Sequence, residues 1–215
     1  VTARADDTDG SSPDQGTFPD DEKRSLRRRL LDARAARSPE DRAAATADLI
    51  RHVISIASGV SGPVACYLPI GPEPGVAGPG TATLPDALLA AGHEVLAPVV
   101  PAAPGPLDWT RYTGLDDLQR GPLGVREPVG PRLGAAAIGT AALVLVPALA
   151  VDRRGRRLGR GGGYYDRTLP LVSPGTPTVV PLHDDELVDE LPAEPHDVPV
   201  AAVVLPRAGV VHLST

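Results

Sequence analysis

The run ALVLVPAL, residues 142–149, decides the fold. Its apolar residues follow one another without alternation, which suits a strand buried on both faces of a covered parallel sheet. Four further β-rich runs extend the pattern: VACYL (64–68), EVLAPVV (94–100), PTVVPL (177–182) and AAVVLP (201–206). Helical candidates lie between some of them, at TATLPDALLAAG (81–92) and YYDRTLPLV (164–172), with GTAA (139–142) as a short turn. Strands alternating with helices predict an α/β domain built on a parallel sheet.

Two helices are expected ahead of the first strand. In DEKRSLRRRLLDARAARS (21–38), Leu26, Leu30 and Ala33 recur at helical spacing, with Asp20 or Asp21 as N-cap. In SPEDRAAATADLIRHVISIAS (38–58), Ser38 is the N-cap, Pro39 takes the first helical position and Asp41 partly serves as the capping-box acid. Leu49, Val53 and Ile56 form the apolar stripe of this second helix. Residues 1–20 are polar, acidic and aperiodic, and are expected to be a disordered tail ahead of a single domain over 21–215.

A net charge of −6 argues against nucleic acid as a partner, and the basic run near Lys23 has no interleaved aromatics. One cysteine, Cys66, excludes an intrachain disulfide and sits in the apolar VACYL, where it reads as a small core residue. No apolar run reaches membrane-spanning length and no signal peptide is apparent, so a cytoplasmic protein without a membrane partner is expected. His183-Asp184-Asp185 and His196-Asp197 lack metal-binding spacing, and the second pair reads as fixing a turn.

Three loops should meet at the carboxyl edge of the sheet, where open α/β sheets bind ligands. They are GPEPGVAGPG (71–80), VPAAPGPLDW (100–109) and RRGRRLGRGGGYYDRTL (153–169). In the last, Gly159, Gly161, Gly162 and Gly163 can present successive backbone N–H groups to an anion. A helix N-terminus follows, and Arg157 and Arg160 add donors suited to phosphate oxygens. Asp166 is placed to hold a magnesium ion bridging phosphates. The stretch is neither a Walker A loop, lacking its Lys-Ser/Thr, nor a dinucleotide fingerprint, since Tyr164 stands at the third glycine. Trp109, on an expected loop at this edge, is a candidate to meet a flat ligand.

At RLGRGGGYYD, Arg157 to Asp166, the chain closely resembles the 5-formyltetrahydrofolate cyclo-ligase family, whose signature is a glycine-rich RLGxGxGYYD after a buried strand. VPALAVDRRG (146–155) matches the approach to that signature in character, with Ala148 where glycine is usual and Val151 where phenylalanine is usual. Lys23 and Arg27 fit the family's N-terminal KxxxR; YLPIGPEP (67–74) and LPAEPHDVPV (191–200) resemble two further stretches. The family's fold is a three-layer α/β/α arrangement with a mostly parallel open sheet, of the sugar-phosphate isomerase and CoA-transferase type. Its reaction converts 5-formyltetrahydrofolate, monoglutamate or polyglutamate, to 5,10-methenyltetrahydrofolate with ATP and Mg²⁺. The formyl oxygen is phosphorylated, N10 attacks the activated carbon, and ADP and phosphate are released.

The resemblance implies that Lys23, Arg27, Arg157, Gly159, Arg160, Gly161, Gly162, Gly163, Tyr164, Tyr165 and Asp166 bind ATP, with Asp166 also the magnesium ligand. It implies catalytic roles for Arg157, Arg160 and Tyr165, and a folate site built from Tyr67, Leu68, Glu73 and Tyr164, to which Trp109 is added as the large aromatic expected on a loop at the same edge. Gly162 stands where several members carry lysine, which leaves the charge there to Arg160 or the contact to a backbone N–H. After Glu73 the insertion GVAGPG leaves Thr81 and Thr83 as alternative continuations of the motif. A monomer or weak homodimer is expected. Two other readings stay open: a same-fold isomerase or CoA-transferase relative, which would not consume ATP, and a non-catalytic folate or nucleotide binder.

Overall fold

A computed structural model describes residues 19–76, 82–121, 124–192 and 198–214. Residues 1–18 of the expected tail, Thr81 and the His196-Asp197 pair lie outside the described residues. Helix α1 spans Pro19–Ala36 and α2 spans Pro39–Ala57, capped as expected by Ser38, whose side chain accepts from the Asp41 N–H at 3.0 Å. Strands β1 (Val64–Cys66) and β2 (Val95–Val99) flank helix α3 (Leu84–Ala90). Next come β3 (Asp108–Arg111), β4 (Leu118–Arg120), β5 (Arg126–Pro128), β6 (Leu143–Leu145), β7 (Ala150–Asp152) and β8 (Arg157–Leu158). Helix α4 (Tyr164–Thr168) precedes β9 (Thr178–Pro181), β10 (Leu187–Val188), β11 (Ala202–Leu205) and β12 (Gly209–His212).

The main sheet has seven strands in the order β12-β11-β9-β6-β1-β2-β3. The five strands anticipated from their apolar runs form its parallel centre, with Ala65 opposite Val144 on one side and Leu96 on the other. Antiparallel β3 and β12 close its two edges. Alternation along each strand sorts the core. Val64, Cys66, Leu143 and Leu145 meet Leu49 and Val53 of α2 and Leu84 and Leu88 of α3 on one face. Ala65, Val144, Val180 and Val203 meet Ile138, Leu169 and Trp109 on the other. That second layer is made of 3₁₀ turns at Ala135–Thr140 and Leu169–Leu171 with α4, rather than long helices.

Chain order runs outward from β1 in both directions, so the switch in strand order falls between β1 and β6. The carboxyl ends of β1 and β6 therefore open a crevice, the place where such sheets bind ligands. Two small sheets stand beside it. One is the β4–β5 hairpin, and the other is β10-β7-β8, whose strand β8 leads directly into the glycine segment.

Several sequence expectations change. Helix α1 already begins at Pro19, so Asp20 and Asp21 lie inside it and do not cap it. The helix foreseen over 164–172 is only five residues long before it tightens into the 3₁₀ turn at Pro170, so its dipole contributes little to anion binding. Trp109 is on strand β3, not a loop: it pairs with Pro98 and is 0% exposed within the second core cluster.

Candidate active site

The crevice is a cavity of about 610 Å³. Its walls bring together fourteen of the fifteen residues that the sequence singled out: Lys23, Arg27, Tyr67, Leu68, Glu73, Arg157, Gly159, Arg160, Gly161, Gly162, Gly163, Tyr164, Tyr165 and Asp166. The exception is Trp109, which the burial just described removes from the folate-facing set; Leu107, two residues earlier, lines the cavity instead. Phenylalanine at 109 is expected to leave the apparent KM for any ligand of the cavity within about twofold. Alanine there should cost about 3–5 kcal/mol of stability. A denaturation curve and a steady-state titration on the two variants check this.

The arginine-rich segment sorts into scaffold and site. Asp152, fully buried at the end of β7, accepts from the backbone N–H groups of Arg154 and Arg156, from Arg156 Nε at 2.6 Å, and from the Leu191 N–H. This carboxylate shapes the tight turn from β7 into β8. Arg153 and Arg154 pair with Asp189 and Glu190 on the surface. Of the six arginines in this segment, only Arg157 and Arg160 reach the cavity wall. Arg157, 5% exposed in its side chain, donates to Asp166 at 2.5 Å, and its Nε is buried with no partner among the described residues. Arg160 crosses the cavity to Glu73, Nε to Oε1 at 2.8 Å.

Glycine earns its place at two points here. Gly161 has φ +97° and Gly163 has φ +66°, left-handed values that side chains resist, and Gly163 caps α4. The chain thereby reverses while leaving Gly161 open enough that a Cβ would meet only the Arg27 guanidinium, at 3.7 Å. Arg27 Nε in turn donates to the Gly159 carbonyl at 3.0 Å, joining α1 to a loop 132 residues away in sequence. Lys23, one turn earlier, is buried in the same wall.

On the opposite side, Tyr67 donates its hydroxyl to the Pro74 carbonyl at 2.6 Å and so pins the loop that carries Glu73. Glu73 is 8% exposed, and its second oxygen accepts from the Ile70 N–H at 3.0 Å. Tyr165 packs against both core clusters, with its hydroxyl buried and no partner among the described residues. Burial, reinforced by Cys66 and Glu73, holds the Tyr165 phenol far above its ordinary range, so it stays neutral and keeps its proton available to donate. Tyr164 stacks beneath the Arg167 guanidinium, 5.2 Å from the ring centroid.

Val125, Arg126 and Glu127 were not anticipated, yet they line the cavity from β5 and the turn before it. Glu127 is 2% exposed and accepts from the Val100 N–H at 2.8 Å, which ties the β4–β5 hairpin to the end of β2. The only sequence signal was a charged residue beside a proline, and nothing local foretells its burial. Of the side chains at the wall, Lys23, Arg27, Arg126, Arg157 and Arg160 are cationic, against Glu73, Glu127 and Asp166. The excess suits an anionic ligand.

A sequence profile of the 5-formyltetrahydrofolate cyclo-ligase family matches residues 19–206. The chain belongs to this family. The 5-formyltetrahydrofolate cyclo-ligase of Mycolicibacterium smegmatis is 46% identical over 159 residues, covering 72% of this chain and 79% of that protein. The Escherichia coli K12 cyclo-ligase is 36% identical over 128 residues, covering 59% of this chain and 70% of its own. Among solved structures, the NMR structure of 5,10-methenyltetrahydrofolate synthetase from Aquifex aeolicus superposes with TM-score 0.71 at 26% identity. It covers 90% of this chain and 93% of that one. Family and relatives together indicate 5-formyltetrahydrofolate cyclo-ligase activity. Within this cyclo-ligase, no helix among the described residues is long and apolar enough to cross a membrane.

His183 of the HDD run is not at the cavity wall. It is buried, which depresses its pKa below the usual 6.5 against the partial opposition of Glu186, while Arg37 and Arg34 press the same way as burial. The folded state then binds fewer protons here than the unfolded chain. Its contribution is complete above the unfolded value and declines as pH falls through about 6.5 toward the depressed folded value. Melting temperature should fall on acidification from about pH 7.5 to about pH 5.5, and the slope should flatten in His183→Gln.

Proposed function

We propose that this cavity performs the ATP-dependent closure of 5-formyltetrahydrofolate, with the nucleotide against the α1 and glycine-segment wall and the pterin against Glu73. The observation that carries the reading is the Arg27–Gly159 contact, which brings a basic helix face onto a glycine-rich turn beside an acid, all at the switch point of the sheet. Lys23 and Arg27 would hold the phosphates from one side, and Arg157, Arg160 and the glycine N–H groups from the other. Charge that develops on the transferring phosphoryl group would be met by these fixed cations, which need no reorganisation when the reaction occurs.

Magnesium fits this donor set when phosphates complete its shell. Among the described residues no group of three or more His, Cys, Asp or Glu could hold a metal ion, which disfavours a cage of protein ligands alone. Asp166, at the cavity wall and 31% exposed in its side chain, would be the single carboxylate of a site shared with phosphate oxygens. The ion would supply neutralisation of phosphate charge there. Tyr165, neutral and with a buried hydroxyl that has no partner among the described residues, would donate a hydrogen bond to the ligand.

Glu73 would exchange its Arg160 partner for the N–H donors of the pterin, leaving Arg160 for the phosphates. Leu68, Leu107 and Val100 would give the flat ring an apolar wall. Excluding water matters because the activated formyl group must meet N10 before it hydrolyses. The test is a spectrophotometric assay with 5-formyltetrahydrofolate, MgCl₂ and ATP. Growth of the near-ultraviolet absorbance of methenyltetrahydrofolate, dependent on all three, is the expected result. No growth, with ATP or folate still binding in a separate titration, would instead make the protein a binder.

A further inference from the structure

Helix α1 carries Lys23 and Arg27 to the cavity, yet little apolar surface holds it there. Leu26 and Leu30 are only partly buried, against the small cluster of Ala150, Leu158 and Leu191. The inward face was expected to include Ala33, but that residue is exposed and Arg34 takes the inner position, 1% exposed. Lys23, Arg27 and Arg34 follow one another at intervals of four and seven, so they share one helical face. Arg34 lies about 10 Å along the axis from Arg27.

Arg34 forms a bidentate pair with Glu186, Nε to Oε1 at 2.7 Å and the terminal nitrogen to Oε2 at 2.8 Å, across 152 residues. Glu186 is 3% exposed in its side chain. The same terminal nitrogen of Arg34 donates to the Ala148 carbonyl at 2.6 Å, and Ala148 lines the cavity. Glu186 Oε2 also accepts from the His183 N–H at 3.0 Å, and the Glu186 carbonyl from Val151 at 3.1 Å. Three segments of the site's frame thus converge on one buried fork: α1, the turn after β6 and the turn after β9.

We infer that Arg34 and Glu186 are positioning residues for the nucleotide wall. Two parallel hydrogen bonds fix both the rotation and the axial setting of α1, which an apolar contact between leucines would leave free to slip. A helix transmits such an error rigidly, so a shift at Arg34 displaces Lys23 and Arg27 relative to the glycine segment. The inference rests on the reading of Lys23 and Arg27 as phosphate contacts.

The test uses the full chain carrying Arg34→Met and Glu186→Leu together, which removes the fork without stranding a buried charge. Lys23→Ala serves as the reference. Melting temperature, kcat, the KM values for ATP and 5-formyltetrahydrofolate, and ATP affinity by direct titration are measured. The double variant should fold and keep its folate KM within about twofold, while its ATP KM and dissociation constant rise roughly 10-fold or more. An unchanged ATP KM in the folded double variant, with Lys23→Ala raising it, overturns the positioning role alone. Equal rises in both KM values also overturn it, because they mark a general loosening of the fold. An unchanged ATP KM in Lys23→Ala overturns the underlying reading of α1. If the double variant fails to fold, Glu186→Gln carries the same comparison: it keeps one of the two bonds, and an unchanged ATP KM rejects the inference.

Discussion

Alanine in place of Asp166 is expected to lower kcat/KM for ring closure by on the order of 10²-fold or more. The carboxylate stands in the first turn of α4 and is held by Arg157, whose own Nε has no partner among the described residues. Truncation therefore removes the proposed metal-holding group and also releases a nearly buried guanidinium. Asparagine separates the two effects, because it keeps an acceptor for Arg157 but no charge. A loss in Asp166→Asn as large as in Asp166→Ala, accompanied by a raised magnesium requirement, supports the metal role. Near-normal turnover in Asp166→Asn would assign Asp166 to orienting Arg157 alone. The absorbance of the methenyl product, followed across a magnesium titration, reads both outcomes.

Alanine in place of Glu73 should raise the KM for 5-formyltetrahydrofolate, lowering kcat/KM by about 10²-fold. Both oxygens of this buried acid are engaged, one by Arg160 and one by the Ile70 N–H. Removing them leaves the loop N–H without its acceptor and the proposed pterin donors without a partner. Glutamine keeps an acceptor for Ile70 and should retain the loop while losing the charge, so Glu73→Gln should fall between wild type and alanine. The KM for ATP should change less than that for folate in both variants. A KM for folate that is unchanged in Glu73→Ala would move the pterin to another wall, with Glu127 as the next buried acid at the cavity.

The parallel centre of the sheet was readable because its five strands are continuous apolar runs, and burial on both faces demands that composition. The start of α2 was readable for a local reason too, since Ser38-Pro39 and Asp41 encode a cap within four residues. The strands β3, β4, β5, β7, β8, β10 and β12 were not. Segments such as DWTR, LQR and REP become strands only because a neighbour pairs with them. Trp109 was misplaced for that reason, its loop assignment following from the prolines around it. The candidate site was more legible than the fold around it, because a glycine-rich anion loop announces itself by composition. The inner face of α1 was legible only in part, since buried Arg34 looks like a surface residue until Glu186, 152 positions away, is in place.

That separation shapes how the protein acquires its activity during synthesis. Helix α1 is made well before its partners: Arg27 waits for Gly159 and Arg34 for Glu186. At typical elongation rates that interval is on the order of ten seconds. Through most of it, a helix with a basic inner face has neither Gly159 nor Glu186 to dock against. Contacts of such long sequence separation also slow folding once the chain is complete, because the entropy of closing the loop precedes the reward. Chains ending short of Glu186 lack the fork altogether, so activity should appear late in synthesis and as a single step rather than in proportion to length.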